Sequence, residues 1–73
     1  MEQSIKQNGI TIMDSPDETS CNMIFRNLTG LNFGGEEYRR YVRMMLREFS
    51  ALTYGEIELW EDGVCKSKGN IKQ

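Results

Sequence analysis

The sequence predicts a small single α+β domain, two helices packed with one or two short strands, on three observations. Apolar residues recur at three- and four-residue steps from Tyr38 to Leu52, β-branched residues cluster in residues 9–13, and residues 56–60 alternate acidic with apolar side chains. The first spacing lines up one face of a helix, and the other two are strand signatures. With 73 residues, 38% of them hydrophobic and 27% charged, the chain has material for one modest core.

Taken in order, residues 1–8 are polar and predict a flexible N-terminus, with the domain proper at 9–66. Gly9-Ile10-Thr11-Ile12-Met13 reads as a short strand. Asp14-Ser15-Pro16-Asp17-Glu18-Thr19-Ser20 combines proline with side chains that bond their own backbone, so it reads as a turn, with Ser20 able to cap a helix over 21–28. Thr29-Gly30 ends that helix. Gly34-Gly35 breaks the chain before the second helix, whose first turn carries Glu36 and Glu37 at the positive end of its dipole. Its apolar face is Tyr38, Tyr41, Val42, Met45, Leu46, Phe49 and Leu52, and Glu36 with Arg40 is an exposed pair four residues apart. Residues 56–60 read as a strand, Glu61-Asp62-Gly63 as a turn and 64–66 as a short return strand. Residues 67–73 read as a flexible polar tail.

Composition excludes several chemistries. A formal charge of −2 and a pI near 5.0 give no general attraction to nucleic acid or to anionic membrane surfaces. Neither a signal-type leader nor a run of about 20 apolar residues is present, which predicts an intracellular, cytoplasmic chain rather than a membrane protein. There is no histidine, so the chain holds no imidazole base of its own. Cys21 and Cys65 are far apart and read as free thiols; two cysteines without histidine predict neither a metal site nor any cofactor. Glu56 and Glu58 fall on one strand face and read as solvent-facing charges rather than a catalytic pair.

One basic surface stands out. Arg39, Arg40, Arg43 and Arg47 lie close together on the second helix, and three of them follow one flank. The bland account pairs them with Glu36, Glu37 and Glu48 on a solvated face; the functional account is a contact surface for an acidic patch on a protein partner.

Ser20-Cys21-Asn22-Met23-Ile24-Phe25-Arg26-Asn27-Leu28-Thr29, followed in phase by Phe33-Gly34, Glu36-Glu37 and Val42-Arg43, resembles the first catalytic motif and next helix of the ovarian-tumour (OTU) cysteine proteases, which remove ubiquitin. The family motif reads approximately Asp-Gly-Asn-Cys-Leu-Phe-Arg-Ala-Leu-Ser. In the ungapped phase Asn22, Phe25 and Arg26 match, while Met23 stands at the nucleophile position, and a thioether forms no thiolate. An alternative phase makes Cys21 the nucleophile and Asp17 the motif aspartate, at the cost of an insertion before Phe25. Tyr54-Gly55-Glu56-Ile57-Glu58-Leu59 is similar to a later family segment that opens a helix, which sets a helix against the strand read from alternation. The resemblance covers about half the chain.

The resemblance implies an OTU-like module without its catalytic dyad, an interaction domain rather than an enzyme, with ubiquitin as the implied partner. The contacts expected from it are Phe33, Arg39, Arg40 and Arg43. Two other readings stay open: a structural or self-associating small domain, or a remnant without activity, whose Tyr38-to-Leu52 face is covered by the Ile10-to-Met13 strand, the Ile57-to-Trp60 segment or a second copy, and a cysteine hydrolase using Cys21 with a histidine from another chain.

Overall fold

The computed structural model describes residues 2–15 and 18–73, with Glu18 and Thr19 described as backbone only. Six elements follow one another: β1 (Gln3–Gln7), β2 (Ile10–Ser15), α1 (Glu18–Leu28), α2 (Gly35–Glu48), β3 (Gly55–Glu61) and β4 (Val64–Ile71). The strands form one antiparallel sheet in the order β2-β1-β3-β4.

Four strands correct the expected architecture of two helices with one or two strands. The stretch expected to be a flexible N-terminus contributes β1, which lies inside the sheet between β2 and β3. Most of the expected tail continues β4 as far as Ile71. Residues 56–60 are strand, not the start of a helix. Ser20 lies inside α1 rather than capping it, and the Pro16 and Asp17 part of the expected turn is outside the described residues.

Two short hairpins make the sheet. Gln7 pairs with Ile10 around Asn8-Gly9, and Glu61 pairs with Val64 around Asp62-Gly63. All four loop residues have positive φ, at 53° and 77° in the first turn and 51° and 80° in the second. That is the backbone of a two-residue turn whose twist matches the flanking strands, and Asn-Gly and Asp-Gly adopt it at least cost.

Alternation along β1 sends Gln3, Ile5 and Gln7 toward the helices, and all three are buried. The two glutamines act as polar clamps. Gln7 Nε2 donates to the carbonyls of Thr53 (2.8 Å) and Glu56 (3.2 Å), while its Oε1 accepts from the Thr53 N–H (2.9 Å) and hydroxyl (3.2 Å). The α2–β3 connection is therefore fixed by a residue 46 positions upstream. Gln3 Oε1 accepts from the Asn22 N–H at 3.2 Å, and its Nε2 donates to Glu61 at 3.1 Å, tying α1 to β3.

Helix α1 lies directly on the inner face of the sheet, and α2 packs against α1. The core is Ile5, Cys21, Phe25, Leu28, Tyr38, Val42, Met45, Leu52, Ile57, Leu59 and Ile71. Within the expected apolar face of the second helix, Tyr38, Val42, Met45 and Leu52 are buried and Tyr41, Leu46 and Phe49 pack against the cluster. The domain's own elements thus cover much of the face for which a second copy was invoked. Tyr38 joins three elements: its hydroxyl donates to the Leu28 carbonyl and accepts from the Lys72 N–H at 2.9 Å.

Gly69 lets α1 approach β4. A methyl group there would lie 2.5 Å from Thr29 Cγ2 and 3.4 Å from Phe25 Cζ, so β4 passes beneath the end of α1 only without a side chain. Among the described residues no helix is long and apolar enough to cross a membrane.

Candidate functional site

The expected contact residues divide. Arg39 and Arg43 project from α2 with 60% and 56% of their side chains exposed, and both approach Glu36, at 4.0 Å and 3.8 Å. The expected partner of Glu36 was Arg40; Arg39, three residues on, and Arg43, seven residues on, approach it instead. At these lengths and exposures the pairs leave both guanidinium groups able to accept another carboxylate.

Two adjoining hollows share Arg39, Lys72 and Gln73. One, of about 220 Å³, runs between α2 and the end of the sheet and adds Val42, Arg43 and Tyr54. The other, of about 260 Å³, lies over the start of α2 and adds Gly30, Phe33, Gly34, Gly35 and Tyr38. Arg40 is exposed but lines neither hollow. Phe33 is half-buried, its ring 5.4 Å from that of Tyr41 at an interplanar angle of 59°, so it forms a packed wall rather than a free anchor.

The fold adds two residues that the sequence reading missed. Lys72 reaches this site because Ile71 turns into the core and the Lys72 N–H bonds to Tyr38. Tyr54 arrives through the loop that Gln7 holds. The strand character of β4 was the missing signal, since a tail predicts no fixed position for Lys72.

The two nucleophile positions separate sharply. Cys21 is 1% exposed, and its thiol points at the Gln3 carbonyl, 3.6 Å away. Burial, with a smaller contribution from the nearby Asp14 charge, pushes its pKa above the ordinary value. A neutral thiol without access to solvent is a poor nucleophile. Met23, in contrast, is 51% exposed on the outer side of α1, beside a hollow of about 270 Å³ that Asn22, Arg26 and Asn32 also line. Asp17, the motif aspartate of the gapped phase, lies outside the described residues. Cys65 is a half-buried free thiol on β4. Among the described residues no group of three or more cysteine or carboxylate side chains converges as metal ligands.

The curated proteins and the solved structures contain no match to the chain. A family model described as a domain of unknown function (DUF7688) matches residues 2–72, and the chain belongs to that family.

Proposed function

We propose that the domain is a non-catalytic protein-interaction module that holds an acidic segment of a partner against Arg39 and Arg43 of α2 and the neighbouring Lys72. The observation that carries this reading is the pair of adjoining hollows sharing Arg39 and Lys72, with Arg43 and Tyr54 on one side and Phe33 on the other. Carboxylates of an extended segment would meet cations in both hollows and aromatic walls between them. The absence of histidine from the chain and the neutral, buried Cys21 support a binding role over a hydrolytic one.

Ubiquitin enters through the OTU resemblance alone, so it is one probe among acidic partners. In an NMR titration of labelled domain, an acidic peptide should shift Arg39, Arg43, Tyr54 and Lys72, and added salt should weaken the effect. Combined Arg39→Ala and Arg43→Ala substitutions should weaken binding about tenfold. The reading is overturned if neither acidic peptide nor ubiquitin shifts these residues at millimolar concentration.

A second reading, self-association, has one observation in its favour. β2 is an edge strand with Ile10 56% exposed and no lysine along it, whereas the opposite edge strand carries Lys66 and Lys68. Lysines on an edge discourage pairing with another chain. Sedimentation at rising concentration tests it, and a monomer throughout would remove it.

A further inference from the structure

The sheet face turned away from the helices offers a different surface with the opposite charge. Register places Ser4 between Asp14 and Trp60 in one row across the sheet, and Lys6 between Thr11 and Glu58 in the next. Registered partners project from the same side, so these residues share the face opposite Ile5, Ile57 and Leu59.

Trp60 is held on this face from its edge. Its indole N–H donates to Glu58 Oε1 at 2.9 Å, and the other oxygen of that carboxylate is 3.9 Å from Lys68 Nζ. The flat of the ring carries a cation: Lys6 Nζ lies 4.3 Å from its centroid. Beside the ring is a hollow of about 320 Å³ into which Glu2, Asp14 and Asp62 bring three carboxylates against the single ammonium of Lys6.

We infer that this hollow docks a lysine- or arginine-bearing segment of a protein partner, with one cationic head seated on Trp60 where Lys6 now lies. Two independent features favour that occupant. The ring already accepts an ammonium group in this orientation, which shows that its electron-rich face is open to a cation and its edge is taken. The carboxylates exceed the lining cations, so a basic segment complements the walls while an acidic one is repelled by them. A neutral ligand stacking on Trp60 would have to move Lys6 without replacing its charge beside the carboxylates. Lys6 is a tethered competitor on a flexible stem, and it sets the affinity by how readily it leaves. This inference uses none of the residues of the α2 site, so the two proposals stand or fall separately.

Trp60 is the sole tryptophan of the chain, and its emission reads the site directly. The probe is a tetralysine peptide with neutral, capped ends, titrated into the full chain alongside a capped tetraglutamate peptide. Tetralysine should change Trp60 emission saturably, and tetraglutamate should leave it unaltered. Lys6→Met vacates the ring and should tighten tetralysine binding by about two- to fivefold. Asp14→Asn with Asp62→Asn preserves shape, including the positive φ at Asp62 that asparagine tolerates, and should weaken binding by about five- to tenfold. Unchanged far-ultraviolet circular dichroism identifies folded variants, and wild-type titration carries the test if a variant is unfolded. No Trp60 response to tetralysine at millimolar concentration overturns the proposal. So does an equal response to tetraglutamate, weaker binding by folded Lys6→Met, or Trp60 emission that changes with protein concentration alone, which would mark a second copy as the occupant.

Discussion

Replacing Gly69 with alanine tests the close approach of β4 to the end of α1. Gly69 does not have positive φ, so alanine is not refused by the backbone. At an open strand position the change would stabilise by about 0.4–1 kcal/mol, because alanine restricts the unfolded chain more than glycine does. Here the added methyl would stand 2.5 Å from Thr29 Cγ2, roughly 1 Å inside ordinary carbon–carbon contact. Thr29 cannot simply rotate away: its hydroxyl donates to the Phe25 carbonyl at 2.9 Å and approaches the Arg26 carbonyl at 3.3 Å, which fixes the side chain. The end of α1 must therefore lift from β4, at a cost of about 1–3 kcal/mol. Urea unfolding followed by Trp60 emission should show the midpoint falling by about 1–2 M if the slope is near 1 kcal/mol per M. Thr29→Ser removes Cγ2 and keeps the hydroxyl, after which the nearest remaining contacts are 3.3 Å and 3.4 Å. In that background Gly69→Ala should become neutral or stabilising. A similar loss with and without Thr29→Ser would refute the argument that this one methyl dictates the glycine.

Gln7→Leu should lower stability by about 2–4 kcal/mol, since it strips partners from the Thr53 N–H and the carbonyls of Thr53 and Glu56. Against a total of about 4–11 kcal/mol expected for a domain this size, urea unfolding will resolve that loss, and a change below about 0.5 kcal/mol would dispose of the clamp. Cys65 should react with a disulfide reagent in the native protein while Cys21 reacts only after unfolding; equal native rates would contradict the burial of Cys21. Because burial raises the Cys21 pKa above its ordinary 9.0, the folded state holds this proton more tightly than the unfolded one. Its contribution is complete below that value and lost as pH rises through the folded pKa, so Cys21→Ala should flatten the alkaline decline of the urea midpoint.

The parts of the fold legible in the sequence are those whose buried residues are apolar. Tyr38, Val42 and Met45 announce α2, and Ile57 and Leu59 announce β3. β1 is hidden in the sequence because its inward residues alternate as Gln3, Ile5 and Gln7, and a buried glutamine satisfied by backbone partners looks like solvent-facing sequence. The Asn8-Gly9 pair is the available signal, since its two-residue turn calls for a strand before it as well as after it. β4 was obscured similarly, since its inner face is Ser67, Gly69 and Ile71, with glycine standing where a helix comes close. For the candidate sites, the arginine cluster was visible as helix spacing, but the contribution of Lys72 depends on β4. The Lys6–Trp60 contact depends on pairing β1 with β3, and no local pattern encodes that neighbourhood.

That pairing divides the sheet into two hairpins, each closed by a two-residue turn, joined through a single seam whose partners are as much as 58 residues apart. Either hairpin can form from its own short stretch of chain, but the seam closes a long loop, which carries an entropy cost of about 3–4 kcal/mol before its contacts compensate. Trimming the polar residues ahead of Gly9 would remove one lip of the seam, leaving β2 without a neighbour and β3 as a new edge. A fragment chosen to begin at Gly9 would thus contain nearly all the apolar side chains of the core and still lack the strand that makes two hairpins one sheet.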